Sequence, residues 1–139
     1  MLLAIDIGNT NIVVALFHED EITHEWRIHS DPNRTADEYS SIILSFFRDN
    51  GISQSYIKSG VLSSVVPLLI GPFIRLMENI IGRKPIILGP SIYDKLPVTI
   101  PKSALHEIGT DLVANSVQAF VEYKKPCIRF DARFLQHFQ

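Results

Sequence analysis

The sequence predicts an α/β domain built on a mixed sheet, with its elements in the order βββαβαβα. Three observations lead there. Leu2 to Phe17 reads as two apolar, β-branched-rich runs around a polar centre, Gly8-Asn9-Thr10-Asn11, the pattern of an antiparallel hairpin. Ile22 to Ile28 then alternates apolar and polar residues, as a half-exposed third strand does. After that, helical and strand patterns take turns, and such crossover units imply parallel strands with helices packed on the sheet.

The elements follow in order. His18-Glu19-Asp20-Glu21 is a polar turn between the second and third strands. Ser30-Asp31-Pro32-Asn33-Arg34 is a loop, after which Thr35 and Glu38 have the spacing of a capping box. Tyr39, Ile42, Ile43, Phe46 and Phe47 fall on one helical face, and Gly51 is placed to end that helix. Gly60 to Val66 predicts a buried strand stopped by Pro67. A second helix is expected from about Leu68 to Ile81, its start delayed by Gly71-Pro72. Pro85 to Leu88 predicts a short buried strand, closed by Gly89-Pro90 and followed by a long loop through Pro97 and Pro101. A third helix opens near Thr110, with Val113, Val117, Phe120 and Val121 on one face, and stops before Lys124-Lys125-Pro126.

At 139 residues the chain can bury one ordinary core, and 46% hydrophobic with 20% charged residues is the balance of a folded soluble protein. A formal net charge of -2 gives no reason to expect a nucleic acid or an anionic membrane as partner. The single cysteine, Cys127, rules out an internal disulfide and fits a cytoplasmic setting. Asp6 interrupts the apolar N-terminus and no basic stretch precedes it, so no signal peptide is expected, and no run is long enough to span a bilayer. Trp26, Phe46 and Phe47 are assigned to the core. His18, His24, His29, His106 and His137 lack metal-ligand spacing, Ser63 and Ser64 lack the context of a hydrolase nucleophile, and there is no P-loop.

Two stretches carry chemistry. Asp6 closes an apolar strand, where a buried, unpartnered carboxylate would cost several kcal/mol; such a group pairs, holds a cation or shifts its pKa. Beside it, Gly8 permits close backbone approach, and Asn9, Thr10 and Asn11 add polar groups to the turn's own N–H donors. A carboxylate facing such donors suits a phosphate with a metal ion; the same residues would equally serve a plain hairpin turn. In the second stretch, Ile108 to Asn115, Asp111 lies in the first turn of the third helix behind Gly109 and Thr110. An acidic residue there stabilises the helix dipole in any case.

The run Asp6-Ile7-Gly8-Asn9-Thr10-Asn11 resembles the opening phosphate loop of the type III pantothenate kinases, in the superfamily of actin, sugar kinases and heat-shock ATPases. The element order is similar to the repeated domain of that superfamily, which implies a ribonuclease H-like, actin-like ATPase domain. The resemblance implies ATP-dependent phosphorylation of pantothenate to 4′-phosphopantothenate, the first step of coenzyme A biosynthesis. It implies ATP, Mg2+ and a monovalent cation, K+ or NH4+, as cofactors, and a homodimer for the full-length family. Carried over by position, the cofactor-binding residues would be Asp6, Ile7, Gly8, Asn9, Thr10, Asn11, Ile12 and Val13, with Asp6 also the metal ligand. Gly109, Thr110, Asp111 and Leu112 would line the pantothenate site, with Asp111 as the general base. The family has Arg where Leu112 stands, a lost charged hydrogen bond worth on the order of 1.5–3 kcal/mol, and a tyrosine where Lys102 stands.

Near the C-terminus, Pro126-Cys127-Ile128 begins like the first strand of the family's second domain, and Asp131 falls at its monovalent-cation position. The Phe-Gly-Thr-Ala-Thr-Thr loop expected next is replaced by Ala132-Arg133-Phe134 and the residues to Gln139. Residues 1–124 are therefore read as an N-terminal domain, and 125–139 as the divergent start of a second one. Since ATP in this superfamily sits between two domains, this chain alone is expected to show little or no kinase activity. A non-catalytic regulatory or accessory module of the same family is the alternative, and a kinase for another small alcohol the third reading.

Overall fold

In the computed structural model, which describes residues 1–97, 99–100, 102–104, 117 and 121, β1 (Leu2–Ile7) and β2 (Asn11–His18) form the expected hairpin. β3 (Glu21–His29) adds antiparallel to β2. β4 (Ser59–Ser64) lies parallel to β1 on its other side, and β5 (Ile86–Ile87) parallel to β4. The sheet order is β3-β2-β1-β4-β5, mixed as predicted. The chain divides into two units, Met1–Leu88 and Gly89–Gln139.

One face of the sheet in the first unit makes the core. Alternation sends Leu3, Ile5 and Ile7 of β1, Ile12, Val14 and Leu16 of β2, and Leu62 of β4 inward. Helix α1 (Ala36–Asp49) buries Tyr39, Ile43 and Phe47 with them, and helix α2 (Pro67–Ile81) buries Leu69, Phe73, Leu76, Met77, Ile80 and Ile81. Each such side chain is worth roughly 1.5–3 kcal/mol on leaving water, which is why these two helices hold their places. Gly60 of β4 lets α2 close in: a Cβ there would lie 2.8 Å from Met77 Cε and 3.1 Å from Ile81 Cδ1.

The N-terminus of α1 is the capping box read from the sequence. The Glu38 N–H donates to Thr35 Oγ1 at 3.2 Å, and the Thr35 N–H donates to Glu38 Oε2 at 2.6 Å. The helix ends at Asp49, with Asn50 as cap and Gly51 in the left-handed region at φ 66°.

Several expectations are corrected. α2 begins at Pro67 rather than after Pro72, which sits inside the helix. An internal proline costs roughly 3 kcal/mol, and the six buried side chains of α2 outweigh that. β5 is exposed rather than buried, with Ile86 59% and Ile87 39% accessible, because it is a two-residue edge strand paired on one side only. β4 is buried only at Gly60 and Leu62, the positions facing α2, and Val65 beyond it is exposed. Phe47 is core, but Trp26 and Phe46 are half-buried, stacked on each other at 5.3 Å on the flank where edge strand β3 meets α1. In the second unit, part of the expected loop is a short helix α3 (Pro90–Tyr93), and Lys102–Ala104 form a 3-10 turn. The third helix lies outside the described residues except for Val117 and Val121, both helical.

Candidate functional site

β1 and β2 meet in register at Ile7 and Ile12, leaving Gly8 to Asn11 to turn the chain. The Gly8 N–H donates to the Asn11 carbonyl at 2.9 Å, closing the turn. A Cβ on Gly8 would lie 2.9 Å from that same oxygen, so no side chain fits while the turn keeps its shape. Asn9, Thr10 and Asn11 are exposed, so their side chains are open to a ligand.

Strand alternation sorts the eight predicted cofactor residues into two sets. Ile7 and Ile12 are fully buried core residues, so only their backbone could touch a ligand. Asp6 and Val13 are opposite one another on the other face, Asp6 exposed and Val13 half-buried. The expectation of a buried carboxylate is thereby corrected. Asp6 bears no burial penalty, since the residues that are out of water are its neighbours Ile5 and Ile7.

Asp6 is also in register with Ser63 of β4, which puts that serine beside the carboxylate. The Val65 N–H donates to the Ile7 carbonyl at 3.0 Å, and Ser64 Oγ accepts from the Val66 N–H at 3.0 Å, fixing the β4–α2 junction next to the turn. From the opposite side, the Ser30 N–H donates to the Thr10 carbonyl at 2.8 Å. Nothing in the sequence marks Ser63 or Ser30 as a site residue. Both come to the turn through long-range strand pairing or loop contact, for which a single sequence carries no local signal.

Among the described residues no group of three or more His, Cys, Asp or Glu could enclose a metal ion. The donor set nonetheless fits Mg2+, which keeps several waters and is held through one or two carboxylates together with substrate phosphates. Asp6 is a carboxylate of that kind: exposed, and in no ion pair among the described residues. A shallow depression of about 440 Å³ lined by Arg34, Asp37, Glu38, Ser41 and Ile42 contains none of the predicted site residues. Gly109, Thr110, Asp111, Leu112 and Asp131 lie outside the described residues. No helix among the described residues is long and apolar enough to cross a membrane.

Residues 2–132 match the family model described as type III pantothenate kinase. Curated relatives bearing that name include those of Brevibacillus brevis, 38% identical, Exiguobacterium sibiricum, 37%, and Geobacter sulfurreducens, 36%. Each alignment runs over 131 residues, 94% of this chain and 51% of the relative, so the chain spans about half the length of the curated relatives it matches. Among solved structures, a ROK hexokinase from Thermus thermophilus aligns with 68% of this chain and 37% of its own, at 13% identity and a TM-score of 0.48.

Proposed function

The chain belongs to the type III pantothenate kinase family, and from that premise we propose that it carries the nucleotide-phosphate wall of an ATP-dependent pantothenate kinase, the enzyme that makes 4′-phosphopantothenate for coenzyme A. The observation that carries the reading is the hairpin end itself. An exposed carboxylate at position 6, in no ion pair among the described residues, stands beside a turn with no room for a side chain at Gly8 and with polar groups at Asn9, Thr10 and Asn11. Plain hairpin turns need neither the carboxylate nor the crowding.

In this reading the turn's N–H groups and the side chains of Asn9, Thr10 and Asn11 hold phosphate oxygens, and Asp6 holds the cation. Asp6 would hold Mg2+, which would supply positive charge against the negative charge developing in the transfer. Asp111 accepts the proton of the pantothenate primary hydroxyl as that oxygen attacks the γ-phosphorus and the bond to the β–γ bridging oxygen breaks. A carboxylate suffices, because a loose transition state asks for positioning more than for a strong base. Gly109 lets the backbone lie against pantothenate, Thr110 and Leu112 line the same site, and Asp131 supplies a ligand for K+ or NH4+. The site is completed in a cytoplasmic homodimer. Leu112, in place of the family's Arg, favours a second reading, an accessory module that binds without phosphorylating.

Titration with millimolar Mg2+ and ATP, followed by NMR, tests the proposal. Amides of Asp6 to Val13 should shift in the wild type and stay put in Asp6→Asn. An unperturbed hairpin in the wild type would end the kinase reading. Formation of 4′-phosphopantothenate by this chain would overturn both the accessory reading and the expectation that it shows little or no kinase activity by itself.

A further inference from the structure

The Gly8–Asn11 turn is held from outside its own hairpin, and the support can be traced back to one hydroxyl. Tyr39 is fully buried in the first turn of α1, its ring against Phe73 at a centroid distance of 4.9 Å and under the Arg34 guanidinium at 5.4 Å. Its hydroxyl makes two hydrogen bonds to one residue: it donates to the Asp31 carbonyl at 2.7 Å and accepts from the Asp31 N–H at 2.9 Å. Asp31 is further fixed by its own loop. Its Oδ1 accepts from the Asn33 N–H at 2.9 Å, and its carbonyl accepts also from the Arg34 N–H at 3.1 Å. The preceding residue, Ser30, is 5% exposed and donates its N–H to Thr10, carrying the β2–β3 ladder one step past the Asn11–His29 pair. Its hydroxyl is buried with no partner among the described residues, an arrangement that costs rather than stabilises. The loop is therefore built for where it puts its backbone.

We infer that Tyr39 is a positioning residue for the Gly8–Asn11 turn, its hydroxyl fixing Asp31 so that the Ser30 N–H holds the Thr10 carbonyl and with it the exposed Asn9 and Thr10 of the turn. The functional meaning rests on the proposed kinase reading; the mechanical link does not. Because a tyrosine ring with two χ angles is locked by packing on both sides, the support is rigid where a lysine or glutamine would not be.

The test needs no nucleotide for its first part. Tyr39→Phe keeps the ring and removes both hydrogen bonds. Amide hydrogen exchange at Gly8 and Ser30 should then quicken about tenfold, the factor that one lost hydrogen bond of ordinary net strength supplies, while amides in the middle of β1 keep their rates. Met77→Ala, a core truncation at the β4 end of α2, serves as the control for general destabilisation. It should leave the ratio of turn to β1 rates unchanged. Equal changes in the two variants, or an effect of Tyr39→Phe confined to the Asp31 amide, would overturn the inference. In the wild type the through-bond coupling between the Ser30 amide and the Thr10 carbonyl should be measurable, and its absence would overturn the link even if the variant failed to fold. With Mg2+ and ATP added, Tyr39→Phe should weaken the shifts at Asp6 to Val13 several-fold. Quickened exchange with unchanged nucleotide affinity would overturn the positioning role. A wild type that binds no nucleotide would instead remove the kinase reading and leave the link to be judged on exchange.

Discussion

Two hairpin turns in the same sheet solve the same geometric problem in opposite ways. Between β2 and β3, His18 pairs with Glu21 and a two-residue turn joins them, with Glu19 in the left-handed region at φ 54°. All four residues are exposed, and the register shifts between Leu16 and Phe17 to accommodate the turn. Between β1 and β2 no residue has positive φ, yet Gly8 has no room for a Cβ and Thr10 is tied to Ser30. The first kind of turn carries a left-handed residue, and its four residues are exposed. The second is relaxed locally and held by its surroundings. The exposed Asp6 carboxylate stands next to the second kind, not the first.

Substitutions at the two turns should therefore have opposite signs. Gly8→Ala brings a methyl against the Asn11 carbonyl at 2.9 Å, and overpacking of that kind costs roughly 1–3 kcal/mol. The urea midpoint should fall accordingly, with loss of the Gly8 amide's protection. An unchanged midpoint would mean that the turn is as adaptable as its counterpart. Thr35→Ala should come next, at about 1 kcal/mol for a lost N-cap. It acts on the support rather than on the turn, since Tyr39 lies in the helix turn that Thr35 opens; the Ser30 amide should lose protection while the Asp20 turn is unmoved. Glu19→Gly should stabilise by about 0.5 kcal/mol, the relief of a left-handed residue less the added freedom of glycine in the unfolded chain. A destabilised Glu19→Gly would show that the second turn also depends on contacts its exposure conceals.

How far the sequence discloses this depends on the range of the forces involved. Local ones are legible: the capping box is visible as Thr35 and Glu38 three apart, the hairpin as two apolar runs about Gly8, and β3 as alternation from Ile22 to Ile28. Asp6 reads as buried in the sequence because its face of β1 also carries Leu2 and Ala4, so that the whole strand has the pattern of a two-sided core strand. The alternation of Ile5 and Ile7 around it does point the carboxylate outward. Pro72 looked like a delayed start because a ring that breaks a helix locally is overridden here by tertiary burial of Leu69 and Phe73 on either side. The placing of Ser63 beside Asp6 and of Ser30 against Thr10 depends on pairings across some 57 and 20 residues of chain, the order of the difference in their numbers. No periodicity carries that information.

The smallest effect discriminates between the turns most cleanly, because it leaves the covalent structure alone. The Glu38 carboxyl is held below its ordinary value of 4.5, first by the Thr35 backbone N–H and then by the Thr35 hydroxyl. A folded pKa below the unfolded one contributes stability that is present in full above about 4.5 and is lost as pH falls through the lower folded value. Glu38 is fully exposed to solvent screening, so the change is small in total stability and is better read locally. Acidification from neutrality to about pH 3 should weaken the Thr35 N–H bond and loosen the first turn of α1. Through Tyr39 and Asp31 the loss should reach the Ser30 amide, after correction for the intrinsic pH dependence of exchange. Glu38→Gln keeps an acceptor oxygen without the titration, so in that variant the acid loss of Ser30 protection should be smaller, reduced to what the Asp31 carboxylate and its bond from the Asn33 N–H contribute in both proteins. If Ser30 responds to acid equally in both proteins, then α1 does not support the Gly8–Asn11 turn, and the two hairpins differ only in their own residues.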